Sequence, residues 1–434
     1  MEQMICDNIG VQGADLYFAG QSCPALAAQY GTPLYLMDED RIRQNCRSYT
    51  DAAHGAFGDG FRILYASKAA AFKRMAEIVK EEGLCLDVVS AGEIATAKAA
   101  GFPMANVYFH GSVKTGADIA FAMECGVGFF VVDSSEELYA VEAEAARRGL
   151  RQPVLLRLTP GIDPHTYAAV ATGLVDSKFG VAIETGQAEA FLTDALSMPH
   201  LDVMGLHCHV GSQVFDADVF VRSAAIMLDF MASAKAKFDF TAKQLDLGGG
   251  YGVRYTADDP ALDLAKNLCE IAAFVRNGCA ERGLSMPIIL FEPGRSIVAD
   301  AGMTLYTVGP VKKIPGVRNY VSVDGGMTDN PRYALYGAPY TVLPADHMDI
   351  PCDMPATVAG RCCESGDVIQ PDVPLPASLK YGDLLAVCTT GAYHYSMASN
   401  YNRLPRPPIV MLKGGTSYVA VRRETLDDLL RLDV

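Results

Sequence analysis

Short apolar runs alternate with longer polar stretches through roughly the first two thirds of the chain. Each run is rich in β-branched or aromatic residues and has the length of a buried strand, and the stretch after it has a helical composition. Strands that alternate with helices predict a parallel sheet, and eight such units suggest a TIM barrel. A doubly wound open sheet has the same alternation and remains an alternative. The eight runs are RILYASK (62–68), CLDVVS (85–90), VYFHG (107–111), FFVVDS (129–134), VLLRLTP (154–160), VMGLHCHVG (203–211), QLDLGGG (244–250) and PIILFEPG (287–294).

The pattern changes near residue 296. Segments such as NYVSVDGG, GDLLAVCTTGAY and SYVAVRR are short strands that Gly and Pro turns separate, with little helix between them. This pattern predicts an all-β domain of the Greek-key barrel or sandwich type. The residues before PLYLMD (33–38) also lack helical periodicity. We therefore predict an N-terminal segment (1–32) that pairs with the β domain, a barrel domain (33–296) and a C-terminal β domain (297–434).

Composition narrows the class of protein. At 434 residues the chain suits about two domains, and its net charge of −15 argues against nucleic acids and anionic membrane surfaces as partners. The opening MEQMICDNIG has no secretion signal, and no apolar run reaches membrane-spanning length. We therefore expect a cytoplasmic protein whose twelve cysteines are mostly reduced. No CxxC pair with zinc spacing occurs, so no metal is expected.

Polar residues cluster where the eight predicted strands end, which is where a TIM barrel carries its active site. Each alone has an ordinary explanation: His110 or His209 can be a core histidine, and Asp133 can cap a helix. Their occurrence at most of the strand ends carries more weight than any single one. They are Lys68, Asp87, Ser90, His110, Asp133, Arg157, His209, the glycines 248–250, Glu292 and Arg295.

Three of these features together fit one cofactor. Lys68, in YASKA, offers an amine that can form a Schiff base, although most lysines at such positions simply begin a surface loop. The glycines of LDLGGGYG let backbone N–H groups approach a phosphate, although they are also typical of a tight βα turn. Glu292, in LFEPGRS, can hold a pyridinium proton. An amine, a phosphate cradle and a carboxylate are what pyridoxal 5′-phosphate (PLP) requires.

Seven motifs resemble the fold-type III PLP-dependent decarboxylases, the family of the ornithine, arginine and diaminopimelate decarboxylases, over nearly the whole chain. The resemblance implies an alanine-racemase-like barrel that binds PLP. It is strongest to the branch that converts meso-diaminopimelate to L-lysine and carbon dioxide, the last step of lysine biosynthesis. The motifs are YASKA (65–69), HCHVGSQ (207–213), DLGGGYG (246–252), EPGR (292–295), DGGMTDNPR with ALYGA (324–338), CESGD (363–367) and GAYHYSMASNYN (391–402).

The resemblance assigns the cofactor mainly to residues of the barrel. Lys68 matches the Schiff-base lysine, His209 the imidazole on the cofactor ring, and Glu292 the partner of the pyridine nitrogen, where alanine racemases place arginine. Asp87 and Arg157 match a polar pair near the lysine. The other cofactor contacts that it implies are Ser212, Gly248, Gly249, Gly250, Pro293, Gly294, Arg295 and Tyr393.

The resemblance also implies a homodimer with shared active sites. Cys363, the acid that returns a proton to the substrate carbon, and Glu364, which contacts the distal ammonium, would come from the neighbouring subunit. The remaining substrate contacts would be Arg295, Arg332 and Tyr336 at the distal carboxylate, and Tyr393, which touches substrate and cofactor.

Two positions depart from the family pattern, since Arg361 and Tyr333 stand where proline is common. Neither replaces a chemical group, so they concern loop shape only. SKFG (177–180) is a further family trait, in which Lys178 has no assigned role. Two alternatives stay open. One is an ornithine- or arginine-type decarboxylase, in which Asp typically follows the cysteine. The other is a non-catalytic paralogue that binds PLP or a partner.

Overall fold

The computed structural model describes residues 4–162 and 176–434. The chain divides into two compact units. The barrel unit comprises Asn45–Gly252 and Ala261–Gly294, and the β unit comprises the chain up to Gln44, Val253–Pro260 and Arg295–Val434. Within the described ranges, no helix is both long enough and apolar enough to cross a membrane.

The barrel unit is built on a closed sheet of eight parallel strands. Strands that follow one another in the chain are neighbours in the sheet, and the circle closes where Ile289–Phe291 of the last strand pair with Phe61–Ile63 of the first. An open sheet would leave two edges unpaired, so closure excludes the doubly wound alternative and confirms the TIM barrel. Numbered along the whole chain, the strands are β5 (Phe61–Ala66), β6 (Cys85–Val88), β7 (Val107–Phe109), β8 (Phe129–Val132), β9 (Gln152–Thr159), β11 (Leu201–His207), β12 (Gln244–Asp246) and β13 (Ile288–Phe291), and a short β10 (Val181–Ala182) pairs with β9.

Alternation along the strands separates an apolar floor from a polar upper layer. One cluster of buried side chains takes a residue from each of six strands: Leu64, Cys85, Tyr108, Val131, Leu155 and Leu290. Because side chains of a strand alternate between two faces, the residue two positions later points to the same side. On five of these strands that later residue is polar: Asp87, His110, Asp133, Arg157 and Glu292. The apolar cluster therefore supports a polar layer at the C-terminal strand ends.

Hydroxyl side chains cap the N-termini of three helices that follow barrel strands. Ser90, Thr115 and Ser134 each accept a hydrogen bond from the backbone N–H three residues later. Such caps satisfy N–H groups that have no partner inside the helix. The helices are α2 (Glu39–Phe57), which begins in the β unit, α3 (Lys73–Glu81), α4 (Ala91–Ala99), α5 (Gly116–Cys125), α6 (Ser135–Arg148), α7 (Gln187–Ser197), α8 (Ala217–Phe238) and α9 (Leu264–Glu281).

The β unit contains a three-stranded and a nine-stranded sheet. The three-stranded sheet is β1 (Ile9–Gln12), β2 (Asp15–Phe18) and β3 (Gln21–Ser22). The larger sheet contains β4 (Leu34–Asp38), β14 (Gly302–Ile314), β15 (Arg318–Val323), β16 (Val342–Pro344), β17 (Met354–Ala359), β18 (Val368–Leu375), β19 (Leu384–Cys388), β20 (Ile409–Lys413) and β21 (Thr416–Val421). Its helices are short: α1 (Cys23–Tyr30), α10 (Arg295–Val298), α11 (Arg332–Tyr336) and α12 (Leu426–Leu430).

The N-terminal segment is part of this β unit. Leu16 and Phe18 of β2 share a buried apolar core with Met303 and Leu305 of β14. The Leu16 N–H also donates to the Ala345 carbonyl (2.9 Å). The predicted second, β-sheet domain that includes the N-terminal segment is therefore confirmed.

Candidate active site

A cavity of about 380 Å³ opens at the C-terminal ends of the barrel strands. Lys68 lines it from a single 3₁₀ turn, Ser67–Ala69, directly after β5. Glu93 ties that turn to the end of β6, because it accepts hydrogen bonds from the Ser67 hydroxyl (2.6 Å) and the Val89 N–H (2.7 Å). The charged and imidazole side chains of the lining are Lys68, Asp87, His110, Arg157, His207, His209 and Glu292.

The turn after β13 packs against the end of β5. The Pro293 carbonyl accepts the Ala66 N–H (3.1 Å), and a side chain at Gly294 would press on Ala66. Since β13 and β5 are adjacent strands, this contact holds the turn that follows Glu292 close to the turn that carries Lys68.

Glu292 lies in a buried cluster of acids and imidazoles. Its Oε1 is 3.0 Å from Nε2 of His110 and 3.4 Å from Nε2 of His207. Oδ1 of Asp87 lies 3.9 Å from the same His110 nitrogen. Asp246 is also buried, and its Oδ1 accepts the Gly248 N–H (2.8 Å). Three carboxyl groups in one buried cluster cannot all ionise without a large cost.

The surroundings divide the charge unequally among the three acids. Burial raises the pKa of Asp87 and of Asp246 well above the usual aspartate value, and the charge of Glu292 raises both further. Burial also opposes ionisation of Glu292, but its contacts with His110 and His207 and a hydrogen bond with Asp246 hold the pKa of Glu292 well below its usual value. Burial lowers the pKa of both imidazoles, so they favour the neutral form. Of the three acids, Glu292 is therefore the one that ionises most readily. A protonated Asp246 can donate a hydrogen bond to it.

His209 is a neutral imidazole. Its Nδ1 accepts the Gly249 N–H at 3.2 Å, so its proton sits on Nε2. Burial, together with the positive charge of Lys68, lowers the pKa of His209 well below the usual histidine value. A neutral ring can lie against an aromatic cofactor without adding charge to it.

The glycine run is required by the packing of the strand ends. A side chain at Gly249 would collide with the carbonyl of Glu292, and one at Gly250 with the carbonyl of Gly211, which precedes Ser212. Two of its three N–H groups already have partners within the protein: Gly248 donates to Asp246, as described, and Gly249 to His209. The role of these glycines and of Ser212 at a phosphate stays a prediction.

Arg157 is held from two sides. Its Nη1 lies 3.5 Å from Oδ1 of Asp133, and its guanidinium lies 4.5 Å from the centre of the Phe179 ring. Asp133 also accepts the Gly180 N–H (3.1 Å) and is not the helix cap considered from the sequence, a role that Ser134 takes. The SKFG motif therefore contributes Phe179 to the cavity wall. Lys178 lies 4.8 Å from the same ring.

The four residues assigned to the substrate's distal carboxylate and to the substrate–cofactor contact form one group in the β unit. Nη1 of Arg295 donates to the Tyr255 hydroxyl (2.6 Å), and its guanidinium lies 4.8 Å from the Tyr393 ring centre. Arg332 lies 5.3 Å from that ring and 5.2 Å from the Tyr336 ring. Nε of Arg332 is buried and has no hydrogen-bond partner among the described residues. A carboxylate would satisfy it.

Cys363 and Glu364 lie on a loop of the β unit between β17 and β18. Cys363 is exposed, whereas Cys362 is buried. Burial, together with nearby Asp367, raises the pKa of the Cys362 thiol to about 11. Glu364 accepts hydrogen bonds from the Ser365 hydroxyl and the Gly366 N–H, each at 3.3 Å. Of the two adjacent cysteines, Cys363 is the one that presents its thiol outward.

Several residues of the site were not predicted from the sequence. His207 and Asp246 complete the acid–imidazole cluster, Glu93 anchors the lysine turn, and Tyr255 holds Arg295. A signal existed for His207 and Asp246, because each lies two positions before a residue that was singled out and the period of a strand is two. No comparable signal marks Tyr255.

The residues of the cavity fit pyridoxal 5′-phosphate. Lys68 offers an amine, Glu292 an ionised carboxylate for a protonated ring nitrogen, and His209 a neutral ring. Oε1 of Glu292 is buried without a well-aligned hydrogen bond from any described residue, which leaves it available to such a nitrogen. A metal ion is a competing occupant, since one ligand atom each of His110, His207 and Glu292 lies within 4.8 Å of the others.

Comparisons with known proteins distinguish these occupants. Residues 39–299 match the family model of the pyridoxal-dependent decarboxylases, pyridoxal binding domain. A diaminopimelate decarboxylase of Bacillus subtilis (strain 168) is 44% identical over 98% of this chain and 96% of its own length. A crystal structure of diaminopimelate decarboxylase from M. jannaschii with L-lysine has a TM-score of 0.90 at 32% identity, over 99% of this chain and 98% of that one. A lysine/ornithine decarboxylase of Vibrio vulnificus with putrescine has a TM-score of 0.75 at 26% identity, over 90% and 97%.

Proposed function

The chain belongs to the pyridoxal-dependent decarboxylases, and we propose that it removes one carboxyl group from meso-diaminopimelate to give L-lysine and carbon dioxide. The observation that carries this function is the 44% identity to a diaminopimelate decarboxylase over nearly the full length of both chains. The enzyme is a carboxy-lyase that depends on pyridoxal 5′-phosphate, and its reaction belongs to lysine biosynthesis. When bound, the cofactor supplies an electron sink for the carbon–carbon bond that breaks.

The barrel residues bind and orient the cofactor. Lys68 would hold it through its amine, Glu292 would keep a proton on its ring nitrogen, and His209 would contact its ring. The support is the charge distribution of the cavity, in which Glu292 is ionised and His209 neutral. Asp87 lines the same cavity as Lys68, and burial and the charge of Glu292 raise its pKa well above the usual aspartate value. Further contacts come from Ser212, Gly248, Gly249, Gly250, Pro293, Gly294, Arg295 and Tyr393.

The substrate is selected at its far end by two arginines. The guanidinium groups of Arg295 and Arg332 lie 4.8 Å and 5.3 Å from the centre of the same Tyr393 ring, so both positive charges lie near one side chain. Diaminopimelate carries a carboxylate and an ammonium at that end, whereas ornithine carries an ammonium alone. The unsatisfied Nε of Arg332, beside Tyr336, therefore favours the substrate with the additional carboxylate.

Cys363 and Glu364 act in the site of a second subunit. An exposed thiol and an exposed carboxylate stand at the tip of a loop whose flanking residues, Cys362 and Asp367, are buried. A rigid base with reactive groups at its tip suits insertion into another chain. In the homodimer, Sγ of Cys363 returns a proton to the carbon that has lost its carboxyl group, and Glu364 pairs with the distal ammonium. The homodimer works in the cytoplasm.

Release of carbon dioxide from the purified enzyme tests the function. We expect release from meso-diaminopimelate, with L-lysine as the other product, and little from ornithine, arginine or lysine. An ornithine-type decarboxylase is the second candidate, favoured by the structural similarity to the Vibrio vulnificus enzyme. Faster turnover of ornithine than of diaminopimelate would establish that candidate, and no turnover with bound cofactor would establish a non-catalytic paralogue.

A further inference from the structure

We propose that Asp367 and Asn402 are positioning residues that clamp the loop bearing Cys363 and Glu364 from two sides. This inference rests on the proposed function, in which those two side chains reach the substrate. The loop is exposed from Cys363 to Gly366, yet two consecutive backbone N–H groups at its start are each held by a side chain: Asp367 at the end of the same loop holds one, and Asn402 from a distant segment of the β unit holds the other. No part of the proposed chemistry uses either holder.

Asp367 is the buried half of the clamp. Its Oδ2 accepts the Cys362 N–H at 2.7 Å, and its Oδ1 accepts the Met327 N–H at 2.6 Å. One carboxylate thus ties the start of the loop to the segment that follows β15. A side chain at Gly326 or at Gly360 would collide with this carboxylate, so both positions leave room for it. The final Asp of CESGD is therefore explained by geometry rather than by contact with substrate.

Asn402 is the exposed half of the clamp. Its Oδ1 accepts the Cys363 N–H at 2.7 Å, so it fixes the backbone of the very residue that presents the thiol. Asn402 has φ +52°, a left-handed conformation that Asn and Gly adopt more easily than most residues. Both the side chain and the backbone of Asn402 therefore suit this contact.

The clamp matters because the loop carries two groups that must act together. Glu364 is oriented within the loop by Ser365 and Gly366, and Cys363 precedes it directly. A displacement of about 1 Å in catalytic geometry can reduce the rate by about 100-fold. A loop held at consecutive residues delivers thiol and carboxylate in one fixed relation, whereas a free exposed loop does not.

The test compares variants that differ in one acceptor. Asn402→Gly keeps the left-handed backbone and removes the acceptor, and Asn402→Asp keeps the acceptor. Asp367→Asn replaces one carboxylate oxygen by an NH₂ group that cannot accept. Asp383→Asn is the matched control, because Asp383 is also buried and accepts a backbone N–H, that of Lys380 (2.9 Å). For each purified holoenzyme we measure kcat, KM, thermal midpoint, cofactor absorbance, and hydrogen–deuterium exchange of the peptide spanning 360–367.

We expect Asn402→Gly and Asp367→Asn to lower kcat by about 10- to 100-fold and to speed exchange of that peptide, with parental cofactor absorbance. Asn402→Asp should keep most of the activity and the slow exchange, and Asp383→Asn should keep both. Because Asn402 is exposed, its variants should retain the thermal midpoint. Parental kcat and exchange in Asn402→Gly would overturn the clamp. Cys363→Ala distinguishes failure of the proposed function from failure of the clamp. If this variant remains fully active, the proposed role of Cys363 fails, whatever the exchange data show.

Discussion

Replacing Glu292 by glutamine tests whether this residue carries the charge of the buried cluster. Glu292 lies beside His110 and His207, and its pKa is held well below its usual value, while the pKa of Asp246 is raised. A nearby carboxylate raises the pKa of a cationic acid by roughly 1–3 units, and each unit corresponds to about 1.4 kcal/mol. Loss of that charge beside the ring nitrogen is therefore expected to lower kcat by about 10- to 1,000-fold.

Asp246→Asn is the matched control within the same cluster. The raised pKa of Asp246 favours the protonated acid, which accepts the Gly248 N–H through Oδ1 and can donate through Oδ2. An asparagine amide reproduces this pattern, since its oxygen accepts and its NH₂ donates. We expect Asp246→Asn to stay within about threefold of the parent kcat, because no net charge is lost.

The assay is carbon dioxide release at saturating meso-diaminopimelate, with cofactor absorbance recorded to show that each variant is loaded. A loss in Asp246→Asn as large as that in Glu292→Gln would refute the reasoning, because it would mean that Asp246 shares the charge. Parental activity in Glu292→Gln would also refute the reasoning, because it would mean that the reaction does not need the charge of Glu292.

Four further predictions follow from the same structure. Borohydride reduction of the holoenzyme should attach the cofactor to the peptide of Lys68, as mass spectrometry can check; attachment to another lysine contradicts the assignment. Mixed Lys68→Ala and Cys363→Ala proteins should regain part of the activity after verified subunit exchange, whereas no regain would place both residues in one chain's site. Arg332→Ala should cost roughly 2–5 kcal/mol in kcat/KM for diaminopimelate with an unchanged cofactor spectrum, and Arg332→Lys should restore it only partly. Burial raises the pKa of Asp329 to about 7, so its contribution to the free energy of unfolding is fully present below about 3.8 and is lost as the pH rises through about 7. Asp329→Asn should therefore show a weaker fall in thermal midpoint between those pH values than the parent, and equal slopes would contradict the shift.

The barrel and much of its cavity were predictable because both follow from a period of two. An inner apolar residue such as Cys85 or Leu290 is followed two positions later by Asp87 or Glu292. Strand length, the helical stretches and the polar residues at strand ends therefore all indicate the same architecture. Closure of the barrel could not be predicted from periodicity, because an open sheet has the same local pattern. Only the pairing of β13 with β5 distinguishes the closed barrel from the open sheet.

Tertiary contacts that join distant segments were not predictable from the sequence. Tyr255 holds Arg295 from 40 positions away, and neither residue lies in a pattern that names the other. The charge state of the cluster was equally hidden, because it depends on which acid lies beside the two imidazoles. His207 and Asp246 were accessible to a period-two argument, but within HCHVG and LDLGGG the neighbouring histidine and glycines are the stronger signals.

The glycine run shows why a motif can be recognised before its physical reason is known. From the sequence, the glycines of 248–250 indicate a phosphate cradle. In the structure, a side chain at Gly249 would strike the backbone of Glu292 whether or not a phosphate is bound, and the Gly249 N–H orients His209. The glycine run is therefore needed for packing even without a bound phosphate. It lets the ends of β11, β12 and β13 approach closely enough for the His209 imidazole and the Glu292 carboxylate to occupy one site. A substitution at Gly249 would thus disturb the whole cluster, so loss of cofactor in such a variant would not by itself identify a phosphate contact.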